Sequence, residues 1–185
     1  MPYPSKLDSE TLISAAFDMI EQGGVEAFSM HKLAAEFGVK AASLYRYFNK
    51  EALIQAVNTQ TYTRIVQAMY DALAVDADPD QRLLLGAKAM YAYAHQHPVT
   101  YMLAFRNSDD DLRPDEDATE QSVLPLQSIM AQISGEADSL AALRGLQALA
   151  HGFISLTLAG QYRRGGDLNA HFEQAIMAYL RGWQQ

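Results

Sequence analysis

Lys40, Ser43, Arg46 and Lys50 are the residues in this chain whose types and placement could do chemistry together. They lie within residues 29–50, SMHKLAAEFGVKAASLYRYFNK, interleaved with Tyr45, Tyr47 and Phe48. Lys40, Ser43 and Arg46 can supply directional hydrogen bonds to base edges. Lys50 can meet a phosphate backbone as a point charge. Arg46 can read a guanine or hold a phosphate, and both roles stay open. Ala41 and Ala42 offer only apolar contact with thymine methyls, or room for close approach. Ser29 offers a hydroxyl and neighbouring backbone N–H groups to a phosphate oxygen, or serves as a plain helix cap. Tyr45, Tyr47 and Phe48 cannot all face inward, because offsets of two and three span more than one helical face. At least one tyrosine is therefore exposed.

The elements that must position these side chains are two short helices and a tight turn. Leu33, Ala34 and Phe37 form the inner face of one helix, with Ser29 before it and Gly38 ending it. Residues 41–47 form the second, with Leu44 and Phe48 pointing inward. Two helices joined by a glycine-containing turn are a way to seat a helix in the DNA major groove. Upstream, Leu12, Ile13, Ala16, Phe17 and Ile20 recur at helical spacing after Asp8 or Ser9, and Gly23-Gly24 stops that helix.

Charge supports a local contact with nucleic acid. The chain of 185 residues has a net charge of −8, which argues against a protein that coats nucleic acid indiscriminately. From His31 to Lys50, however, Lys32, Lys40, Arg46 and Lys50 face only Glu36, a balance of +3. A small positive face on an acidic body suits contact at one place.

Beyond residue 50 the pattern stays helical. Asn49 caps a long helix to about Val75, and Asp78-Pro79 opens another that closes at His97-Pro98. A short apolar helix covers residues 99–105. Residues 107–120 hold seven acids but lack the alternating Asp/Asn-then-Gly order of a calcium loop, so a solvated mobile loop is expected. Pro125 should start or kink the seventh helix. Helices over about 137–163 and from Asp167 to about Gln184 complete the chain. No segment alternates with period two, so the fold class is all-α, with domains at 1–50 and 51–185.

The combination of Leu33-Ala34, Gly38-Val39, Ser43-Leu44-Tyr45-x-x-Phe48 and Lys50-x-x-Leu53, with Ala15-Ala16 and Gly23-Gly24-Val25 upstream, resembles the N-terminal domain of the tetracycline-repressor (TetR) family. His97-Pro98 and His151-Gly152-Phe153 resemble a ligand-binding C-terminal domain of that family with a His-Gly signature. The resemblance implies that Tyr45 donates its hydroxyl to a phosphate while Leu44 and Phe48 lock the recognition helix onto its domain. It implies a regulator, usually a repressor. Ser29, Lys40, Ala41, Ala42, Ser43, Tyr45, Arg46, Tyr47 and Lys50 are then the expected DNA-contacting set. Double-stranded DNA with a palindromic operator is the expected partner.

A single short helix reads too few base pairs, so a two-fold homodimer is expected. Gly145, Gly152 and Gly160 recur at seven or eight residues and suggest a face needing close helix approach. The expected dimer face comprises Gly145, Leu149, Gly152, Leu156, Ile176, Tyr179, Leu180 and Trp183. Packing of these faces within one chain is the open alternative. Met90, Tyr91, Tyr93, His95, His97, Tyr101, Met102 and Phe105 mix adaptable and hydrogen-bonding side chains, as effector pockets do. Met69, Tyr91, His95, Tyr101, Met102, Phe105 and Phe153 are the expected pocket, for a small apolar or aromatic effector.

Other chemistries find little support. There is no cysteine, no Gly-x-Ser-x-Gly, no P-loop and no dinucleotide fingerprint, so no catalytic set and no cofactor are expected. His95 and His97 lie about 200° apart around a helix, so no metal is expected. The N-terminus lacks an export signal's apolar core, and no stretch reaches the ~20 apolar residues of a membrane span. A cytoplasmic protein is expected.

Overall fold

A computed structural model describes residues 7–73, 76–106 and 112–184, and among them there is helix and no strand. The helices are α1 (Ser9–Gly23), α2 (Met30–Glu36), α3 (Ala41–Leu44), α4 (Lys50–Asp71), α5 (Pro79–Gln96), α6 (Pro98–Arg106), α7 (Glu116–Ser134), α8 (Ser139–Leu158) and α9 (Leu168–Arg181). The all-α fold class is as expected. Two compact units share them: Met1–Thr63 with His97–Thr119, and Arg64–Gln96 with Glu120–Gln185. The unit that holds the short helices is thus larger than residues 1–50, because it includes the first half of α4 and all of α6.

In the first unit, the Asp8 carboxylate accepts from Thr11 N at 2.8 Å and starts α1. The apolar stripe of α1, Leu12, Ala16, Phe17 and Ile20, is buried against Phe28, Met30, Leu33, Ala34, Leu44, Leu53, Ile54 and Val57. At roughly 1.5–3 kcal/mol for each large side chain buried, this core holds α1 to α4 in one arrangement. Helix α6 is tied to α1 by a single carboxylate. Glu21 accepts from Val99 N at 3.2 Å, from Thr100 N at 2.9 Å and from the Thr100 hydroxyl at 2.7 Å. Its anionic oxygens thereby satisfy N–H groups that have no partner inside α6. Phe17, one turn earlier on α1, meets the His97 ring edge-on at 5.3 Å.

In the second unit, α5 packs on α4 through Gly86, whose missing side chain leaves room for Met69 and Leu73. The inner faces of α8 and α9 bury Ala142, Leu146, Ala150, Ile154, Phe172, Ile176 and Leu180. The Tyr179 hydroxyl donates to the Ala142 carbonyl at 2.8 Å across Gly145.

Several boundaries depart from the sequence expectations. The expected helix over 41–47 ends at Leu44. Tyr47 N bonds Leu44 O at 2.8 Å, an i→i−3 step that tightens the last turn before Asn49 caps α4 through Ala52 N at 2.7 Å. Helix α4 ends at Asp71, and Val75 lies outside the described residues. The acidic segment is not wholly a loop. Asp115 caps Ala118 N at 2.9 Å, and Glu116 and Asp117 occupy the first turn of α7, where a helix dipole favours negative charge. Residues 107–111 lie outside the described residues. Pro125 therefore neither starts α7 nor lies at its end. It sits inside the helix on an exposed position. Helix α8 stops at Leu158 rather than near residue 163, because Gly160 adopts φ +64° and Gln161 N folds back to Leu156 O at 2.9 Å. Gly160 is a terminator and not an interior packing glycine. Helix α9 ends at Arg181, a few residues short of Gln184.

Candidate nucleic-acid interface

Gly38 makes the turn between α2 and α3. At φ +66° it occupies left-handed backbone that favours glycine, while Val39 N returns to Ala34 O at 3.0 Å. Leu44 is fully buried and Phe48 half-buried, so together they anchor α3 to the core. Fixing Leu44 inward turns Ala42, Tyr45 and Arg46 outward, at offsets that share one helical face. Lys40 is exposed just ahead of them, and Ala41, Ser43 and Lys50 are half-buried at the margins. Tyr45 is 53% exposed. Among the described residues no carboxylate pairs with Lys40, Arg46 or Lys50, since the ion pair found there is Lys88 with Glu173. The three cations are available to an anionic partner.

Two members of the expected set have ties within the chain. The Ser29 hydroxyl accepts from Lys32 N at 3.2 Å and caps α2. The Tyr47 hydroxyl donates to the Leu7 carbonyl at 2.8 Å and fastens the lead-in of α1 beside α3. Sequence reasoning did not find this link, nor that of Lys32, whose ammonium donates to Ala27 O at 2.7 Å. Nothing local signals a bond spanning 40 residues.

The seven residues expected to line an effector pocket fall into both units. In the second, Tyr91 stacks on His95 at 4.1 Å and approaches Phe153 at 6.4 Å. Phe172, which the sequence reading placed on the packing face of the last helix rather than in the pocket, joins them at 4.8 Å from Tyr91 and 5.3 Å from Phe153. Met69 lies on α4 against Gly86. Burial lowers the affinity of the His151 imidazole for its proton, and its Nε2 lies 3.2 Å from the Ser155 hydroxyl. In the first unit, Tyr101 is fully buried 4.9 Å from Phe105, and Phe105 lies 6.2 Å from Tyr62. Met102 is half-buried on the same helix.

The residues expected at a dimer face divide as well. Ile176 and Leu180 are wholly buried in the core of their own protomer, and Gly145 is filled by Tyr179 of the same chain. This is the intrachain packing left open from sequence. Gly152 has open space about it, Leu156 is 45% exposed, and Leu149 and Trp183 are half-buried. Among the described residues no group of three or more His, Cys, Asp or Glu could hold a metal ion. No described helix is long and apolar enough to cross a membrane.

Comparison with known proteins gives matches to both halves. Residues 12–57 match the family described as bacterial regulatory proteins, tetR family, and residues 83–179 match the tetracyclin repressor-like C-terminal domain. An uncharacterized HTH-type transcriptional regulator of Mycobacterium tuberculosis is 29% identical across 98% of this chain and 84% of its own length. The class A tetracycline repressor of Escherichia coli transposon 1721 is 41% identical over 54 residues, 29% of this chain and 25% of its own. Among solved structures, a Rhodococcus sp. RHA1 protein of unknown function superposes with a TM-score of 0.81 at 23% identity, covering 100% of both chains. A TetR variant from Acinetobacter baumannii AYE in complex with minocycline gives 0.70 at 21% identity, covering 96% of each.

Proposed function

The chain belongs to the TetR family of transcriptional regulators and carries its helix-turn-helix DNA-binding domain, and from that premise we propose that it is a repressor acting as a homodimer on a palindromic operator. The observation that carries the DNA reading is the outward face of α3. Lys40, Ala42, Tyr45 and Arg46 stand exposed, while Leu44 and Phe48 grip the core beneath. Lys40 and Arg46 are suited to base edges or phosphates, and Tyr45 and Lys50 to phosphates that fix register. Ala42 leaves the backbone close to the bases.

A homodimer supplies the second half-site. Gly152 and Leu156 share one face of α8 and are open in the protomer, which supports this end of α8 as the seam. Ile176 and Leu180 have no part in it, being core. Release by a small apolar or aromatic effector completes the reading. It is supported by the aromatic clusters about Tyr91 and Tyr101 and by minocycline in the Acinetobacter relative. Effector and DNA then disfavour each other reciprocally. No catalytic role, cofactor or metal is assigned.

Selection from random duplex DNA tests the proposal. The recovered motif should be two-fold symmetric, with half-sites about one helical turn apart or a multiple of it. An asymmetric motif would rule out the dimer, and no enrichment would rule out operator binding.

A further inference from the structure

Helix α3 is four residues long and has no side-chain cap at its start. A single turn does not hold itself in water, so its direction is set by what fastens its ends. Leu44 is fully buried, and Phe48 packs on the same core. Apolar burial is non-directional, so these two hold the helix down without setting how it is turned about its axis. A directional hold comes from the hydroxyl of Tyr47, which donates to the Leu7 carbonyl at 2.8 Å.

Both ends of that bond are themselves anchored. Tyr47 lies in the tight step after α3, where Tyr47 N and Phe48 N return to Leu44 O at 2.8 and 3.1 Å. Leu7 packs on the core that contains Leu12, and its neighbour Asp8 caps α1 through Thr11 N. An apolar residue packed down just before a helix cap fixes the angle at which the chain enters the helix. The bond therefore joins two fixed points 40 residues apart in sequence.

The same bond limits what else Tyr47 can do. A tyrosine hydroxyl has one proton to donate, and a phosphate oxygen only accepts. With that proton on Leu7 O, Tyr47 has none for a DNA backbone, although its side chain is 40% exposed. Tyr45, two residues earlier and more exposed, is the member of the pair suited to that contact.

We propose that Tyr47 is a positioning residue. Through Leu7 it sets the rotation of α3, and with it the angle at which Lys40, Ser43 and Arg46 meet base edges. The proposal rests on the DNA reading above. Base contacts carry the sequence information and depend on directed geometry, whereas phosphate contacts carry none. Losing the strut therefore erodes discrimination between sequences rather than affinity for the backbone.

Tyr47→Phe removes the hydroxyl and keeps the ring. On a duplex bearing the selected motif, affinity should fall about threefold or more, the worth of one modest net hydrogen bond. Affinity for a scrambled duplex should stay at the wild-type value. In the free protein, amide hydrogen exchange at Thr11 and Leu12, both bonded to Asp8, should quicken in the variant. Equal losses on the two duplexes, the pattern of a phosphate contact, would overturn the proposal. So would an unchanged ratio of the two affinities, or unchanged exchange at Thr11 and Leu12. If the variant does not fold, a crystal structure of the wild type on the duplex decides. The Tyr47 hydroxyl on Leu7 O supports the positioning role, and the hydroxyl on a phosphate oxygen overturns it. A wild type that binds no duplex at low salt would sink the DNA reading instead, and exchange in the free protein would still judge the strut.

Discussion

Gly145 lies where the Tyr179 phenol crosses α8 to reach Ala142, and a Cβ added there would collide with the Tyr179 hydroxyl oxygen. Gly145→Ala must expel that ring and lose its hydrogen bond, so a destabilisation of about 1–3 kcal/mol is expected in urea unfolding, against the ~1 kcal/mol that alanine gains over glycine inside a helix. A more stable variant would show that the contact is not needed. His151 gives a prediction in pH. Its folded-state pKa is lowered by burial, so the unfolded chain binds the proton more readily. Its contribution to stability is whole above the unfolded value of about 6.5 and declines as pH falls below it. Unfolding free energies of wild type and His151→Gln across that range should converge on the acid side. Parallel profiles would assign the acid sensitivity elsewhere.

Helix α6 shows what an element can owe to one distant side chain. Glu21 closes three hydrogen bonds at its start, so Glu21→Ala should lower stability by about 1–2 kcal/mol and Glu21→Gln by less. Equal stability of all three proteins in urea would mean that the Phe17–His97 contact suffices. The sequence could not reveal this tie, because glutamate on an amphipathic helix reads as solvent-facing and its partners lie 78 and 79 residues away. Local signals were read more faithfully. Asp8, Ser29, Asn49 and Asp167 all cap helices through their side chains, because an N-cap depends on residues within three positions. The acidic stretch misled because composition suggests solvation, whereas placement at a helix start turns Glu116 and Asp117 into stabilising charges. Of the α3 face, the exposure of at least one tyrosine followed from helical geometry, and the resemblance implied that it was Tyr45. The engagement of Tyr47 by Leu7 did not follow, since it depends on where α1 begins in space.

For the whole molecule, the proposed dimer must use surface that the protomer leaves open. Leu156 is 45% exposed on α8, so Leu156→Glu should shift sedimentation toward monomer while helix content is retained; a charge buried without a partner at the seam is strongly unfavourable. Unaltered sedimentation would move the seam elsewhere. The central claim, that an acidic chain meets DNA through the cationic face around α3, is tested most directly by DNA affinity as a function of salt. On a duplex bearing the selected motif, log affinity should fall steeply and linearly with log salt. Lys50→Ala should make that slope shallower by about 1, weakening all sequences alike. A flat salt dependence, or a Lys50→Ala slope equal to that of the wild type, would contradict the account.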